Sequence, residues 1–400
     1  MRDNTSSGKD ISGKKSDLTK MERSGAANVA SDQIASERIS DFQLDGDPIL
    51  CRRFGSGHIN DSFLVVDDTA RSYILQKINQ NVFRDPLGVM RNIEAILSYL
   101  SQSGVQAGRL LELVPSNTGA SWHVDVDGDY WRMYSFISDS VCYQRTENIN
   151  IFRESAAAFG SFQKSLSDFP ADTLYATIPR FHDTPYRYEQ FHASLDADVR
   201  GRAKDAEREI EFALTREAGA GVLMERHAEG ALPLRVTHND TKLNNVLFDR
   251  RTLKNICVID LDTVMPGFSV TDFGDSIRFG ASTAAEDEKD LSKVKFSLRL
   301  FEAYAEGFLS ACGSILNGDE VASLCDAART ITLENGVRFL SDYLSGDTYY
   351  RVSYDEHNLV RCRAHFKLVS DMERSREAMH SVIRRVMGGA QYSVHILART

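Results

Sequence analysis

The sequence predicts an α+β chain of two lobes, a small N-terminal antiparallel sheet carrying one helix followed by a larger, mainly helical C-terminal lobe. Three observations lead there. At 400 residues the chain exceeds what one compact core usually organises. Residues 37–138 alternate short β-type runs with polar turns. From residue 139 to 400 apolar residues recur mainly at helical spacing.

Residues 1–36 are rich in Ser, Lys, Asp and Gly and almost without large apolar side chains. They cannot bury enough surface to offset the entropy of ordering, so a solvated extension is expected. Ser62–Val66 and Tyr73–Ile78, separated by a polar turn, read as a hairpin. Pro86–Leu100 reads as a helix, with Leu87, Met90, Ile93, Ile96, Leu97 and Leu100 on one stripe. Trp122–Val126 and Trp131–Ile137 flank Asp127-Gly128-Asp129, a second hairpin signal. Beyond 139, one stripe runs through Phe152, Ala156, Phe159 and Leu166, and another through Leu291, Val294, Leu298, Phe301 and Phe308. The second is expected to open at Thr283-Ala-Ala-Glu286, which has capping-box spacing. Aromatic stripes of this kind are ordinarily core.

With 42% hydrophobic and 26% charged residues, the composition is that of a globular protein. A net charge of −10 and a pI near 5.5 oppose sequence-independent attraction to polyanions. Nucleic acid and anionic membrane are therefore poor partners. Cys51, Cys142, Cys257, Cys312, Cys325 and Cys362 form no CxxC pair and show no metal-ligand spacing with histidine. They read as buried free thiols in a reducing compartment. No apolar run approaches the roughly 20 residues that span a bilayer, and the first thirty residues lack the apolar core of a secretory signal. A cytoplasmic location is expected.

The informative stretch is VTHNDTKLNNVLFDRRTLKNICVIDLDTVMP, Val236–Pro266. Within it His238-Asn239-Asp240 is followed by Asn245, then a strand Val246–Phe248, a polar turn and a strand Ile256–Asp260. A hairpin brings its outer ends together, so Asp240, Asn245 and Asp260 can converge. Phosphoryl transfer needs such a set: a carboxylate that orients the acceptor hydroxyl and takes its proton, and hard oxygen ligands for magnesium on the phosphates. Asp240 is the candidate base, and Asn245 and Asp260 are the candidate Mg2+ ligands. Asp262 points the same way along the strand as Asp260, since side chains repeat every second residue, which makes it a candidate second ligand. Lys242 can offset charge on the transferring phosphate. A lone Asp in a loop is ordinarily a turn or cap; the combined spacing and strand context raise this one above that.

Asp272-Phe273-Gly274 spells the DFG of protein kinases, but Asp260 lies 20 residues after Asp240 and Asp272 lies 32 after, past Pro266-Gly267. One hairpin fits only the first interval. Asp272 reads as support for the loop through buried ion pairing, with Asp275 and Arg278 either in that network or on the substrate.

Nearer the N-terminus, Gly55 and Gly57 in Phe54-Gly55-Ser56-Gly57-His58 precede the first hairpin, where glycine lets backbone N–H groups approach phosphates. His58 reads as a group reaching acceptor or phosphate, or as an ordinary turn residue. In Ile74-Leu75-Gln76-Lys77-Ile78, either Gln76 or Lys77 faces the nucleotide, with Glu94 as the helix partner of a lysine. Tyr134 to Ile137, including Tyr134 and Phe136, is the candidate hinge offering backbone groups to adenine.

These residues resemble the aminoglycoside phosphotransferase and choline kinase superfamily, with its HxDxxxxN run and following Ile-Asp strand end. THNDTKLNN, IDLDTVMPG, DFGDSIRFGAS, GHIN, RFLSDYLSGD and EHNLVRCR are together similar to the N-acetylhexosamine 1-kinase family, over residues 45–385. The resemblance implies a two-lobed protein-kinase-like fold. It also implies transfer of the ATP γ-phosphate, with Mg2+, to the anomeric hydroxyl of N-acetylglucosamine or N-acetylgalactosamine in amino-sugar salvage. By the same resemblance Asp240 is the catalytic carboxylate, Asn245 and Asp260 hold magnesium, and His58, Arg338 and Tyr349 grip the sugar. From the residues alone, Arg338 and Tyr349 are polar groups on and beyond a helix. The rival readings are a related kinase acting on an aminoglycoside, choline or homoserine, and a silent pseudokinase. Asn239 in place of Arg before Asp240, and the lack of an APE segment, speak against a protein kinase.

Overall fold

The computed structural model describes residues 35–55, 59–102 and 109–388. The expected α+β class is found: an antiparallel N-terminal sheet and a mostly helical remainder. The chain divides into two compact units, Met1–Val82 with Glu112–Phe136, and Phe83–Leu111 with Ile137–Thr400.

The first unit holds β1 (Pro48–Arg53), β2 (Asp61–Asp67), β3 (Ser72–Lys77), β4 (Leu113–Val114), β5 (His123–Val124) and β6 (Tyr130–Ser135). Their order is β1-β2-β3-β6-β4, with β5 added to β6, and every pairing is antiparallel. Both expected hairpins form. The β2–β3 ladder runs from Asp61↔Lys77 to Val66↔Ser72, and its turn is closed by the buried Asp67, which accepts the N–H groups of Thr69 (3.0 Å) and Arg71 (2.8 Å). Alternate residues Phe63 and Val65 on β2, Tyr73 and Leu75 on β3, and Trp131 and Met133 on β6 fill one face and form the core, together with Ala35, Ile39 and Phe42. Ala35 thus packs in a core although it falls within the expected extension, whose residues 1–34 lie outside the described residues.

The second unit contains α1 (Pro86–Gln102), β7 (Ser140–Val141), α2 (Ile149–Ser165), α3 (Thr184–Ala197), α4 (Glu207–Leu214), α5 (Val222–Ala228), β8 (Arg235–Thr237), β9 (Val246–Asp249), β10 (Asn255–Val258), β11 (Met265–Gly267), α6 (Ser269–Gly280), α7 (Leu298–Cys312), α8 (Gly318–Leu344), α9 (His357–Arg374) and α10 (Arg376–Val386). Helix α1 matches the expected stripe, burying Met90, Ile93, Ile96 and Leu100. Helix α2 is capped by the Asn148 side chain and packs on α7, with Phe152 and Tyr304 rings 4.9 Å apart. The 27-residue α8 opens on a capping box between Asn317 and Glu320 and forms the spine of this unit. Small ladders β10-β9-β7 and β11-β8 lie among the helices.

Helix α7 does not open at Thr283. It starts at Leu298, where the Ser297 hydroxyl accepts the N–H of Leu300. The capping-box residues are engaged elsewhere: the Thr283 hydroxyl donates to Lys293 O (2.6 Å), and Glu286 pairs with Arg278 (2.8 Å). All six cysteines are free, but only Cys257, Cys312, Cys325 and Cys362 are buried; Cys142 is exposed. Among the described residues no helix is long and apolar enough to cross a membrane.

Candidate active site

The loop after β8 carries His238 to Lys242, and it is held by side chains at every backbone position of residues 238–241. Asp272 accepts the N–H groups of His238 (2.9 Å) and Asn239 (2.7 Å), and Asp275 accepts that of Thr241 (2.9 Å). The Asp240 N–H donates to His238 Nδ1 (3.3 Å). The four carbonyls, in order, accept from Thr263 Oγ1 (2.7 Å), His182 Nε2 (3.2 Å), Asn245 Nδ2 (2.8 Å) and Ser276 Oγ (2.6 Å). A segment without its own helix or sheet ladder is thereby fully satisfied and fixed. Asn239 sits at φ +65°, a left-handed conformation that asparagine tolerates better than most residues. Its side chain locks that geometry through the carbonyls of Thr237 and Thr263.

His238 is wedged between the rings of Phe159 and Phe162. Its Nδ1 accepts from Asp240 while Nε2 donates to Ile259 O (2.9 Å), which fixes the neutral Nε2–H tautomer. Ile259 also donates its N–H to Asn245 O (2.9 Å). One residue thus ties the loop, the short Leu243–Asn245 turn and the approach to Asp260 together.

Of the three side chains expected to converge, Asp240 and Asn245 meet, and Lys242 joins them. Lys242 Nζ is 2.8 Å from Asp240 Oδ1, and Asn245 Nδ2 is 3.0 Å from Asp240 Oδ2. Burial opposes charge on Asp240, but the Lys242 ammonium outweighs it and holds the carboxyl below its usual range. Burial likewise opposes charge on Lys242, and Asp240 reverses it. Both Nδ2 hydrogens of Asn245 are directed to Asp240, so its side-chain oxygen is the atom left for a cation.

Asp260 is exposed and left-handed (φ 62°, ψ 59°), directly after Ile259. The expected strand to Asp260 is shorter: β10 ends at Val258, and Leu261–Thr263 form a 3-10 turn. Asp260 and Asp262 therefore do not share a strand face, and Asp262 is only 1% exposed. The oxygen donors of Asn245 and Asp260 suit a hard cation such as Mg2+, which takes few protein ligands when phosphates supply the rest.

Asp272, Phe273 and Gly274 all lie in α6. Asp272 supports the loop; burial pushes its carboxyl above the ordinary range against the hydrogen bonds it accepts. Phe273 is core, and Gly274 permits close packing, since a Cβ there would fall 2.7 Å from Ala327 O on α8. Asp275 holds Arg278 through Oδ1 (2.7 and 2.8 Å), and Arg278 Nη1 reaches Glu286 (2.8 Å) and His365 Nε2 (3.3 Å).

In the first unit, Gly55 has φ +82°, which only glycine adopts at little cost. Gly57 and His58 lie outside the described residues. Tyr134 is laddered to both Ile74 and Leu113, and the Phe136 N–H is committed to Ser72 O (2.9 Å), so of its backbone groups the carbonyl is the one available to a ligand. Lys77 shares the core face with Tyr73 and Leu75 and pairs with Asp129. Gln76, on the opposite face, accepts from Arg132 Nε (3.0 Å), a buried arginine on β6.

Arg338 and Tyr349 meet around a cavity of about 230 Å³ in the second unit, lined also by Arg187, Gln190, Ser341 and Tyr350. The Arg338 guanidinium lies over the rings of Phe181 (5.1 Å), Tyr350 (5.7 Å) and Tyr349 (5.9 Å). Among the described residues lining this cavity, the one carboxylate is Asp342, which is spent on the N–H groups of Thr348, Tyr349 and Tyr350 and on Asn358. The buried Tyr350 hydroxyl has no hydrogen-bond partner among the described residues. A wider groove of about 880 Å³ lined by Arg208, Lys289 and Tyr354 contains none of the catalytic candidates. Sequence reasoning did not single out Arg187, Tyr350, His182 or Glu334. His182 bonds Glu334 and Asn239, 152 and 57 residues away, and no local spacing encodes such pairs.

Residues 50–306 match the Phosphotransferase enzyme family. Among solved structures, an aminoglycoside phosphotransferase from Alicyclobacillus acidocaldarius superposes with a TM-score of 0.57 at 14% identity, over 87% of this chain and 95% of its own. Choline kinase from Cryptosporidium parvum gives 0.56 at 15%, over 88% and 97%. An amicoumacin kinase, solved with AMP-PNP and Ca2+, gives 0.55 at 14%, over 84% and 92%. At such identities the likeness concerns the fold.

Proposed function

This chain belongs to the Phosphotransferase enzyme family, and on that premise we propose that it transfers the γ-phosphate of ATP, with Mg2+, to the anomeric hydroxyl of an N-acetylhexosamine, N-acetylglucosamine or N-acetylgalactosamine. The observation that carries the reading is the fixed loop that presents the Asp240 carboxylate between Lys242 and Asn245.

Asp240 orients the acceptor hydroxyl and takes its proton as the bond to phosphorus forms. A carboxylate held below its usual pKa is a weak base, which suits an anomeric hydroxyl because that group is more acidic than an ordinary alcohol. Lys242 keeps Asp240 ionised and supplies a positive charge beside the transferring group. Asn245 and Asp260 would hold Mg2+, with Asp262 a further candidate ligand, and the ion, when bound, offsets charge on the phosphate oxygens. Gly55 and Gly57, with the backbone of Tyr134 and Phe136, are the proposed nucleotide contacts, and His58, Arg338 and Tyr349 the proposed sugar contacts.

The choice of sugar over amine rests on the cavity beside Arg338. Two guanidiniums line it, its carboxylate is taken up by backbone and amide N–H groups, and the Tyr350 hydroxyl has no partner among the described residues. Choline, aminoglycosides and other cationic acceptors call for the opposite charge. A neutral sugar with an acetamido carbonyl fits arginine and tyrosine donors. The deciding experiment is an acceptor screen by coupled ADP release. Turnover is expected with N-acetylhexosamines; turnover with an amino-alcohol or aminoglycoside and none with N-acetylhexosamines would overturn the assignment. Absence of magnesium-dependent turnover with any acceptor would instead support a binding module.

A further inference from the structure

We propose that His182 is a positioning residue which, as a doubly donating imidazolium, links the acceptor cavity to the catalytic loop and makes turnover depend on its protonation. The ring lies with Nδ1 2.9 Å from Glu334 Oε1 and Nε2 3.2 Å from the Asn239 carbonyl. A carbonyl only accepts, and so does an ionised carboxylate. A neutral imidazole has one N–H and can serve one of them; both bonds together require the cation. Glu334 is fully buried, and its second oxygen accepts from Thr184 (2.7 Å), so it too is held in one place.

The position of this bridge gives it consequence. Asn239 immediately precedes Asp240 and holds an unfavourable left-handed backbone. Of the four donors that fix the carbonyls of residues 238–241, three are hydroxyl or amide groups and only His182 titrates. On the other side, Phe181, its neighbour in sequence, carries the Arg338 guanidinium on its ring, and Glu334 lies one helical turn before Arg338 on α8. The charged groups around the ring are Glu334 and Arg338 from α8 and Asp275 from α6, and Arg187 from α3 acts on Glu334. Glu334 is the one in contact, and although burial opposes charge on the ring, Glu334 raises its affinity for the proton. Loss of that proton as pH rises removes the Nε2–H donor or the Nδ1–H donor, and either loss frees the Asn239 peptide or strands a buried carboxylate.

The proposal rests on Asp240 as the group that orients the acceptor, so its test includes a readout that needs no turnover. In the full chain, kcat and KM are measured against pH for wild type and His182→Gln. The wild type is expected to lose kcat on a basic limb. His182→Gln is expected to lower kcat about 10- to 100-fold, the cost of a slightly misplaced catalytic group, to flatten that limb, and to leave acceptor KM and nucleotide Kd within about threefold. Wild-type kcat with an unchanged limb in His182→Gln would overturn the proposal. Should that variant fail to fold, the imidazole carbon-proton resonances of the wild type, with 13C-histidine, decide. The ring is expected to be protonated at neutral pH and to titrate with the basic limb; a ring already neutral there refutes the bridge even if no acceptor supports turnover. Glu334→Gln is expected to move the titration to lower pH, and an unmoved titration counts against the pairing.

Discussion

Lys242 Nζ stands 2.8 Å from Asp240 Oδ1, two residues away on the same loop, while the other carboxylate oxygen accepts from Asn245. Both oxygens of the proposed base are thus oriented before any ligand arrives, a form of preorganisation. Asp240→Asn keeps the shape and removes the charge. It is expected to lower kcat by roughly 10²–10⁴-fold with nucleotide affinity nearly unchanged, measured by ADP release and by titration calorimetry. Near-normal turnover would remove Asp240 from its role.

Asp260 is exposed where a cation could reach it. Asp260→Ala is expected to cost about 1–2 kcal/mol of stability, since alanine tolerates the left-handed backbone less well than aspartate. It should raise the Mg2+ concentration needed for half-maximal rate by roughly tenfold or more. A magnesium titration of the rate is the measurement, and an unaltered requirement would exclude it as a ligand.

Asp272 behaves differently because its carboxylate satisfies two buried backbone N–H groups. Asp272→Ala leaves them without partners and is expected to cost about 2–5 kcal/mol of stability. Denaturant unfolding checks this. A variant as stable as wild type would show that the loop finds other acceptors.

The Arg278 network makes stability depend on acidity. Burial, with Arg278 adjacent, depresses His365 to about 4 from an ordinary 6.5. In the folded chain Nδ1 donates to Arg361 O and Nε2 accepts from Arg278, as a neutral ring must. Between those two values the unfolded chain binds a proton that the folded chain refuses. Stability is therefore full above pH 6.5 and falls as pH drops towards 4, by about 3 kcal/mol at most from this group. Urea unfolding against pH should show the slope, and His365→Gln should flatten it.

Much of this was legible in the sequence where a local pattern carried the information. The hairpin at Asp61–Lys77, the helix from Pro86 and the Asp240–Asn245 interval each depend on neighbours a few residues away. The rest required contacts of long sequence separation. Alternation placed Asp262 beside Asp260, but the chain turns at Val258 into a left-handed residue and a 3-10 turn, which no periodicity announces. Thr283 and Glu286 had the spacing of a cap, yet Glu286 is drawn to Arg278, and the tertiary ion pair prevails over the local signal. Which of Gln76 and Lys77 faces the nucleotide was open in the sequence, and the sheet gives each its side of β3, Lys77 with the core residues and Gln76 opposite. His182 and Glu334 sit in unremarkable helical and turn contexts, and only the packed fold brings them together.

The missing side chain at Gly274 sets the spacing between α6 and α8, whose backbones approach until a methyl group would strike Ala327 O. One of those helices carries Asp272 and Asp275, the other Glu334 and Arg338. The supports of the proposed catalytic loop and the proposed sugar contact Arg338 are consequently mounted on one pair of closely packed helices. A new acceptor would have to be accommodated by exchanging side chains at fixed stations, since sliding either rod would misalign both at once.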